Sequence, residues 1–406
     1  MTVIKVVDSI MGSGKTSSAI NLMNNDTENN YIFITPYKNE IERIKQQCSN
    51  KKFYDPRVFS KDGETFYKLD SLHQLLSNNR NIATTHALFK MSTDVTRDLI
   101  TNNEYILILD EVMEVVKQLN ISSSDIQMLL NEKWIINNDG LINWNIDKEK
   151  EEGTYTGKFL TVKQMALNNN LILHKGKILF WNFPADIFKL FKEVYILTYL
   201  FDAQIQKYYY DLNNIQYEKY ISVYEDDQYK FKKNINHSEK EIKEQLKSKI
   251  NIYDGKLNTI GKDQYSLSKS WYNDKKHLHK QLKNNTINYF QNIVKSKSDL
   301  NMWTTFKDYK TKMSGKGYTK GFVSCTARAT NEYSHKNCLA YNINRFLNPI
   351  IKDYFYSYDI EVNEDEYALS ELLQWIWRGS IRNNETINIY IPSSRMRQLL
   401  IDWLNE

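Results

Sequence analysis

The chain is expected to fold as an α/β protein with parallel sheets, divided into two lobes. Three features of the sequence say so. The first is a β-branched run, Val3-Ile-Lys-Val-Val7, that passes through a glycine-containing loop (DSIMGSGKT, Asp8 to Thr16) into a helix-like stretch, Ser17 to Met23. The second is Tyr105-Ile-Leu-Ile-Leu109, a continuous apolar strand of the kind that parallel sheets cover on both faces, ending on Asp110 and Glu111. The third is size. At 406 residues and 41% hydrophobic, the chain exceeds one ordinary core and needs two or three domains.

The glycine-containing loop carries the most specific chemistry. Strand, loop and helix follow in the order a phosphate-binding loop requires. Backbone N–H groups of Gly12, Ser13 and Gly14 can close around an anion at the helix N-terminus. Lys15 would reach the β- and γ-phosphates of a nucleotide, and the Thr16 hydroxyl would ligate Mg²⁺. Ser9 stands at the first position of the loop pattern, where glycine is usual. Ligands of open parallel sheets sit at the carboxyl ends of the strands. Asp110 falls there and would hold Mg²⁺ through water, while Glu111 would orient and deprotonate an attacking water. Paired acids favour hydrolysis over transfer to a small acceptor.

These motifs, in their order along nearly the whole chain, resemble the superfamily 2 helicases. The chain looks most like the small DEAD/DEAH-type helicases encoded by phages of Gram-positive bacteria. The resemblance implies two RecA-like lobes with ATP and Mg²⁺ in the cleft and nucleic acid across the top. It also implies roles for further segments. Tyr31 to Tyr37 contains Thr35 and Pro36, which match a motif that contacts DNA phosphates. Ile82 to Phe89 looks like the next such element, with Thr85 and His86 at a helix start; the alternative is that Thr85 is only a cap and His86 packs on the sheet. Tyr195 to Phe201 stands where the coupling motif of the first lobe's last strand belongs, but Thr198-Tyr199-Leu200 departs from the usual wording and reads equally as a buried strand.

Met302-Trp-Thr-Thr-Phe306 opens the second-lobe motifs, with Thr304 and Thr305 as candidate strand contacts. Gly321 to Cys325 feeds a polar loop, Thr326 to Glu332, in which Arg328 and Asn331 are candidate contacts by position. Asp365 to Ile381 places Leu369, Leu372, Leu373, Ile376 and Trp377 on one helical face. Gln374, Arg378 and Arg382 recur every four residues as a second stripe, which resembles the family's Gln-x-x-Gly-Arg-x-x-Arg element. In that family the arginines neutralise the γ-phosphate. Here Trp377 replaces the glycine and the second arginine comes one residue late, so Arg378 is the firmer counterpart; a solvated basic face is the plain alternative. Thr386 to Ile391 reads as a strand, and Ser393-Ser394 can cap a closing helix whose Arg395 and Arg397 read as surface charges.

Three segments follow: a first lobe over 1–205, an intervening mostly helical segment over 206–300, and the motif-bearing part of a second lobe over 301–406. Polar runs between about 120 and 170 read as an elaboration of the first lobe. His237 to Ser248 and Lys275 to Ile293 are helical candidates. Lysines interleaved with tyrosines and Trp271 suit a DNA-facing insertion or, more plainly, a solvated surface.

Bulk properties bound the function without naming it. The balance of 54 basic and 49 acidic residues, +5 overall, permits a nucleic-acid partner. Three cysteines with no CxxC spacing argue against a zinc site and for a reducing cytoplasm, that of a host if the chain is phage-encoded. No apolar run approaches a membrane span. The expected activity is an ATP-dependent DNA helicase or translocase in phage replication or recombination. Its partners would be single-stranded or forked DNA, with RNA left open, and other replication proteins; a monomer is favoured. Rival readings are a packaging motor with a nuclease, a nucleotide-switched binding module, and a nucleoside kinase.

Overall fold

The structure, a computed structural model, describes all residues except 1, 62–63, 236 and 327–331. The chain forms two compact units: Met1–Lys233 with Asn348–Val362, and Asn234–Leu347 with Asn363–Glu406. The expected boundary at 205 therefore lies inside the first unit. The reason is strand pairing, since residues 218–220 run parallel to Lys5–Val7.

The first unit begins with β1 (Val3–Asp8), β2 (Tyr31–Thr35) and β3 (Phe53–Tyr54), followed by a small hairpin of β4 (Phe59–Lys61) and β5 (Glu64–Phe66). Next come β6 (Asn81–Thr85) and β7 (Ile106–Asp110). A separate group follows: β8 (Val116–Gln118), β9 (Ile135–Asn138), β10 (Leu141–Trp144), β11 (Leu171–His174) and β12 (Ile178–Asn182). The chain then returns as β13 (Glu193–Thr198) and a closing hairpin of β14 (Glu218–Glu225) and β15 (Gln228–Lys233). The main sheet has the order β15-β14-β1-β13-β7-β2-β6-β3, and only β15 runs antiparallel to its neighbour.

Alternation along the strands explains why this sheet is covered twice. Leu107 and Leu109 of β7 join Ile32, Ile34, Val194 and Ile196 in one core, while Ile106 and Ile108 join Phe33, Tyr195 and Leu197 in another. The helix α1 (Lys15–Asn25) closes the second core with Ala19, Ile20 and Met23. Tyr195 to Thr198 thus lies on a central strand between β1 and β7, and not on the last strand of the unit.

The elaboration expected between about 120 and 170 is a second sheet, antiparallel, in the order β8-β12-β11-β10-β9. A short helix from far along the sequence, Pro349–Tyr356, docks on it. Tyr354 lies 4.3 Å from Phe180 between ring centroids, its hydroxyl accepts from Asn182 Nδ2 at 2.6 Å, and Asp353 bonds His174 Nε2 at 2.7 Å and Lys175 at 2.6 Å.

The second unit holds a parallel sheet of β16 (Ile250–Ile252), β17 (Asn301–Thr304), β18 (Cys338–Tyr341) and β19 (Ile387–Tyr390), in the order β16-β19-β18-β17. Its core is aromatic, with Trp303, Tyr318, Tyr289 and Tyr390 buried around the sheet. The helical candidates before it form as Lys240–Lys247 and His279–Asn288. Trp271 is buried with Tyr272 in this core, so it is a packing residue and not an exposed stacking platform.

Candidate active site

Two segments 94 residues apart meet at the carboxyl edge of the main sheet. The loop after β1 turns on Gly12 and Gly14, at φ +85° and +84°, conformations that side chains with a Cβ rarely adopt. Gly14 is the N-cap of α1, and Ser18 N–H donates to its carbonyl at 2.8 Å. The Lys15 ammonium donates to Ser9 O at 2.5 Å and Ile10 O at 3.1 Å, so the loop wraps its own cation. Thr16 Oγ1 stands 3.5 Å from Asp110 Oδ1.

Asp110 is buried at the end of β7, and Thr35 Oγ1 donates to its second oxygen at 3.2 Å. Burial first, then the nearby charges of Glu111 and Glu40, push its carboxyl up to about 7. Asp8, half-buried at the end of β1, is raised to about 6 by desolvation although Phe201 N–H donates to it. Glu111 follows at φ +68°, its N–H bonded to Leu197 O at 2.9 Å, which turns the chain sharply out of the sheet.

The Thr16 hydroxyl and an Asp110 carboxylate oxygen, side by side, are hard donors that fit Mg²⁺. The described residues hold no cluster of three or more His, Cys, Asp or Glu, so phosphate and water would complete such a shell. When bound, the ion would neutralise phosphate charge. Proton and metal then compete for Asp110. Because its carboxyl is raised to about 7, hydrolysis should fall as pH drops through 7. Raising Mg²⁺ should move that acid limb to lower pH. Rate profiles at two Mg²⁺ concentrations check this; a limb that ignores Mg²⁺ would separate Asp110 from the metal.

Other expected site residues are placed differently. Thr35 is fully buried and spends its hydroxyl on Asp110, so it positions the acid and does not present to a strand backbone. Pro36 is partly exposed. Thr85 caps the helix His86–Phe89, accepting from Leu88 N–H at 3.4 Å. His86 Nε2 lies 3.1 Å from Asp110 O and must donate there, since a carbonyl only accepts. Beside the end of β6 a cavity of about 390 Å³ is lined by Lys38, Arg57, Lys68 and Thr85, with Glu42 and Asp55. The sequence offered no periodic signal for these cations, because they come from three separate elements.

In the second unit, Thr304 and Thr305 are buried, and Thr305 Oγ1 donates to Tyr272 at 3.1 Å, so neither presents a free hydroxyl surface to nucleic acid. Arg328 and Asn331 lie outside the described residues. The helix bearing the arginine stripe is Glu364–Ile376 and stops before Arg378. It stops because Gly379 passes tightly by Lys336, whose carbonyl would lie 2.8 Å from any Cβ there and accepts from Ser380 N–H. Gln374 and Arg378 are buried, which removes the reading of a solvated basic face for them. Arg382 is exposed on a separate 3₁₀ turn, Ser380–Asn383, and so leaves the stripe. Arg395 is no loose surface charge: it pairs with Asp365, donates to Asn344 and to Arg345 O, and lies 4.2 Å from the centre of the Phe346 ring. Arg397 donates to Ile391 O at 2.9 Å.

A phosphate loop, a buried strand-end aspartate and two parallel-sheet units define an α/β protein with a helicase-like fold. The structure of S. tokodaii Xpd4 shares that fold, at 11% identity and a TM-score of 0.52, over 99% of this chain and 94% of that one. A structure titled XPD helicase aligns at 12% identity and a TM-score of 0.46, over 100% of this chain and 95% of that one.

The chain belongs to the YonV family. It is 58% identical over 403 residues to the SPbeta prophage-derived uncharacterized protein YonV of Bacillus subtilis (strain 168), covering 99% of this chain and 98% of that one. Residues 116–181, the antiparallel sheet, match the YonV middle domain, and residues 244–404 match the YonV C-terminal Rossmann-like domain. No helix among the described residues is long and apolar enough to cross a membrane.

Proposed function

We propose that this chain is an ATP-dependent motor on nucleic acid, hydrolysing ATP at the Lys15–Thr16–Asp110 site and moving on single-stranded DNA. The observation that carries the reading is the convergence of Lys15, Thr16 and Asp110, with Thr35 and His86 both bonded to Asp110 from neighbouring strand ends. The end of β6, Ala83 to Thr85, also borders the cavity of Lys38, Arg57 and Lys68. Cations there suit phosphate contact. In the proposed step Glu111 holds a water against the γ-phosphorus and takes its proton. The bond to the β–γ bridging oxygen breaks, giving ADP and phosphate, while Arg378 balances the growing charge. Phage replication or recombination is the setting this reading favours, and a prophage-derived relative supports it.

The test is ATP hydrolysis with and without single-stranded DNA. Stimulation by DNA is expected, weakening as salt rises, and falling when Lys38 and Arg57 are replaced by glutamate. Hydrolysis indifferent to both DNA and RNA would end the motor reading.

A further inference from the structure

The closing hairpin of the first unit has no place in the chemistry so far, yet it is fastened to the phosphate loop on both sides of Gly14. Ser222 N–H donates to Ser9 Oγ at 2.9 Å, and Ser222 Oγ donates to Ser13 O at 3.0 Å and lies 2.8 Å from Ser18 Oγ. From the returning strand, Tyr229 O accepts from Asn21 Nδ2 at 3.2 Å. The Tyr229 ring lies directly on Gly14, where a Cβ would stand 2.1 Å from its nearest carbon. Tyr224 pairs with Tyr229 across the hairpin, two residues beyond Ser222, so all three side chains share the face that meets α1. The two tyrosine rings meet edge to face, 4.9 Å apart and inclined by 61°, and Tyr224 is 60% exposed.

We propose that this hairpin tip is the nucleobase platform of the nucleotide site, with Tyr224 stacking on the base and Tyr229 bracing it against Gly14. The inference rests on the phosphate-loop reading given above. Two observations orient it. The first is sheet order: β13 and then β7, which carries Asp110, lie on one side of β1, and β14 lies on the other. A triphosphate whose reacting end faces Asp110 must lead its nucleoside away from β7, toward the hairpin. The second is charge. The turn at the tip is Glu225-Asp226-Asp227, of which Glu225 pairs with Lys232 and Asp226 with Lys230. With two of its three acids paired to lysines, the turn offers phosphate no excess of positive charge, while its carboxylate oxygens can accept hydrogen bonds from ribose hydroxyls or a base amino group. The tip therefore suits the uncharged end of a nucleotide and not a nucleic-acid backbone. Aromatic stacking tolerates any base, so selection among nucleotides would fall to those acceptors.

The experiment compares binding of ATP and of inorganic tripolyphosphate, each with Mg²⁺, by calorimetry on the full chain. Tyr224→Ala should weaken ATP about tenfold or more and leave tripolyphosphate unchanged, while Tyr224→Phe keeps the affinity for ATP. Melting curves of the variants confirm that the hairpin remains folded. Unchanged ATP binding in Tyr224→Ala would overturn the proposal. An equal loss for both ligands would also overturn it, by making the tip a mere wall of the loop. Should the unaltered chain bind neither ligand, or should Lys15→Ala weaken neither, the phosphate-loop reading itself fails and the platform falls with it.

Discussion

Lys15→Ala is expected to lower kcat for ATP hydrolysis about a hundred- to a thousandfold, the cost of removing one preorganised cationic donor from a reacting centre. Asp110→Asn should lose hydrolysis on the same scale, because under the proposed mechanism the carboxylate oxygen beside Thr16 Oγ1 would hold Mg²⁺. The two variants then part company in stability. The Asp110 carboxyl is raised in the fold from 3.8 to about 7, so between those values the folded chain holds a proton that the unfolded chain has released. Its contribution to stability is present at low pH and is lost as pH rises through 7. Above 7 the fold carries a buried, ionised carboxylate that Lys15 and Thr35 only partly offset. Asp110→Asn removes that burden. Its melting temperature without metal should therefore exceed that of the unaltered chain at pH 8, with the difference shrinking toward pH 4. A scan at both pH values decides this; a variant less stable at pH 8 would mean that the acid is satisfied in the apo fold.

Arg378→Ala should cut DNA-stimulated hydrolysis by about a thousandfold or more and leave nucleotide affinity within a few-fold. An arginine that acts on the charge of the transition state changes kcat more than ground-state binding. Arg378 is buried just past a helix end, so a fold defect must be told apart from a catalytic one. Arg378→Lys serves for this. It keeps the charge but not the planar fork, and should keep the melting temperature while recovering only part of the rate. Arg382→Ala, on its exposed turn, should be nearly silent. If Arg378→Ala hydrolyses ATP at the normal rate, Arg378 takes no part in catalysis.

How much of this could be read from the sequence follows from how local each signal is. The strand, glycine loop and helix start at the N-terminus were legible because they are consecutive, and the aspartate because five apolar residues announce a buried strand ending on it. The buried face of the helix Glu364–Ile376 showed in its spacing, but its end did not. Three- and four-residue offsets continue on paper past Ile376, whereas Gly379 must clear a carbonyl brought from residue 336. Thr35 looked like a backbone contact because its partner, Asp110, lies 75 residues away. Ser222, Tyr224 and Tyr229 were invisible for the same reason: a parallel pairing of β14 with β1 spans more than 200 residues and leaves no mark on composition. Arg395 read as a surface charge because nothing in a helix start tells that Phe346 and Asp365 will enclose it.

The docked helix Pro349–Tyr356 has a consequence for how the molecule can be taken apart. The backbone passes between the units three times, after Lys233, after Leu347 and after Val362. No single cut frees either unit whole. A gene fragment ending at Lys233 would lack Asp353 and Tyr354, and would uncover Phe180 and His174 of the antiparallel sheet. Neither unit is a cassette that recombination could exchange at one crossover: a donor would have to supply residues 348–362 along with 1–233. The two units are thus inherited together, each holding a stretch of chain threaded through the sequence of the other.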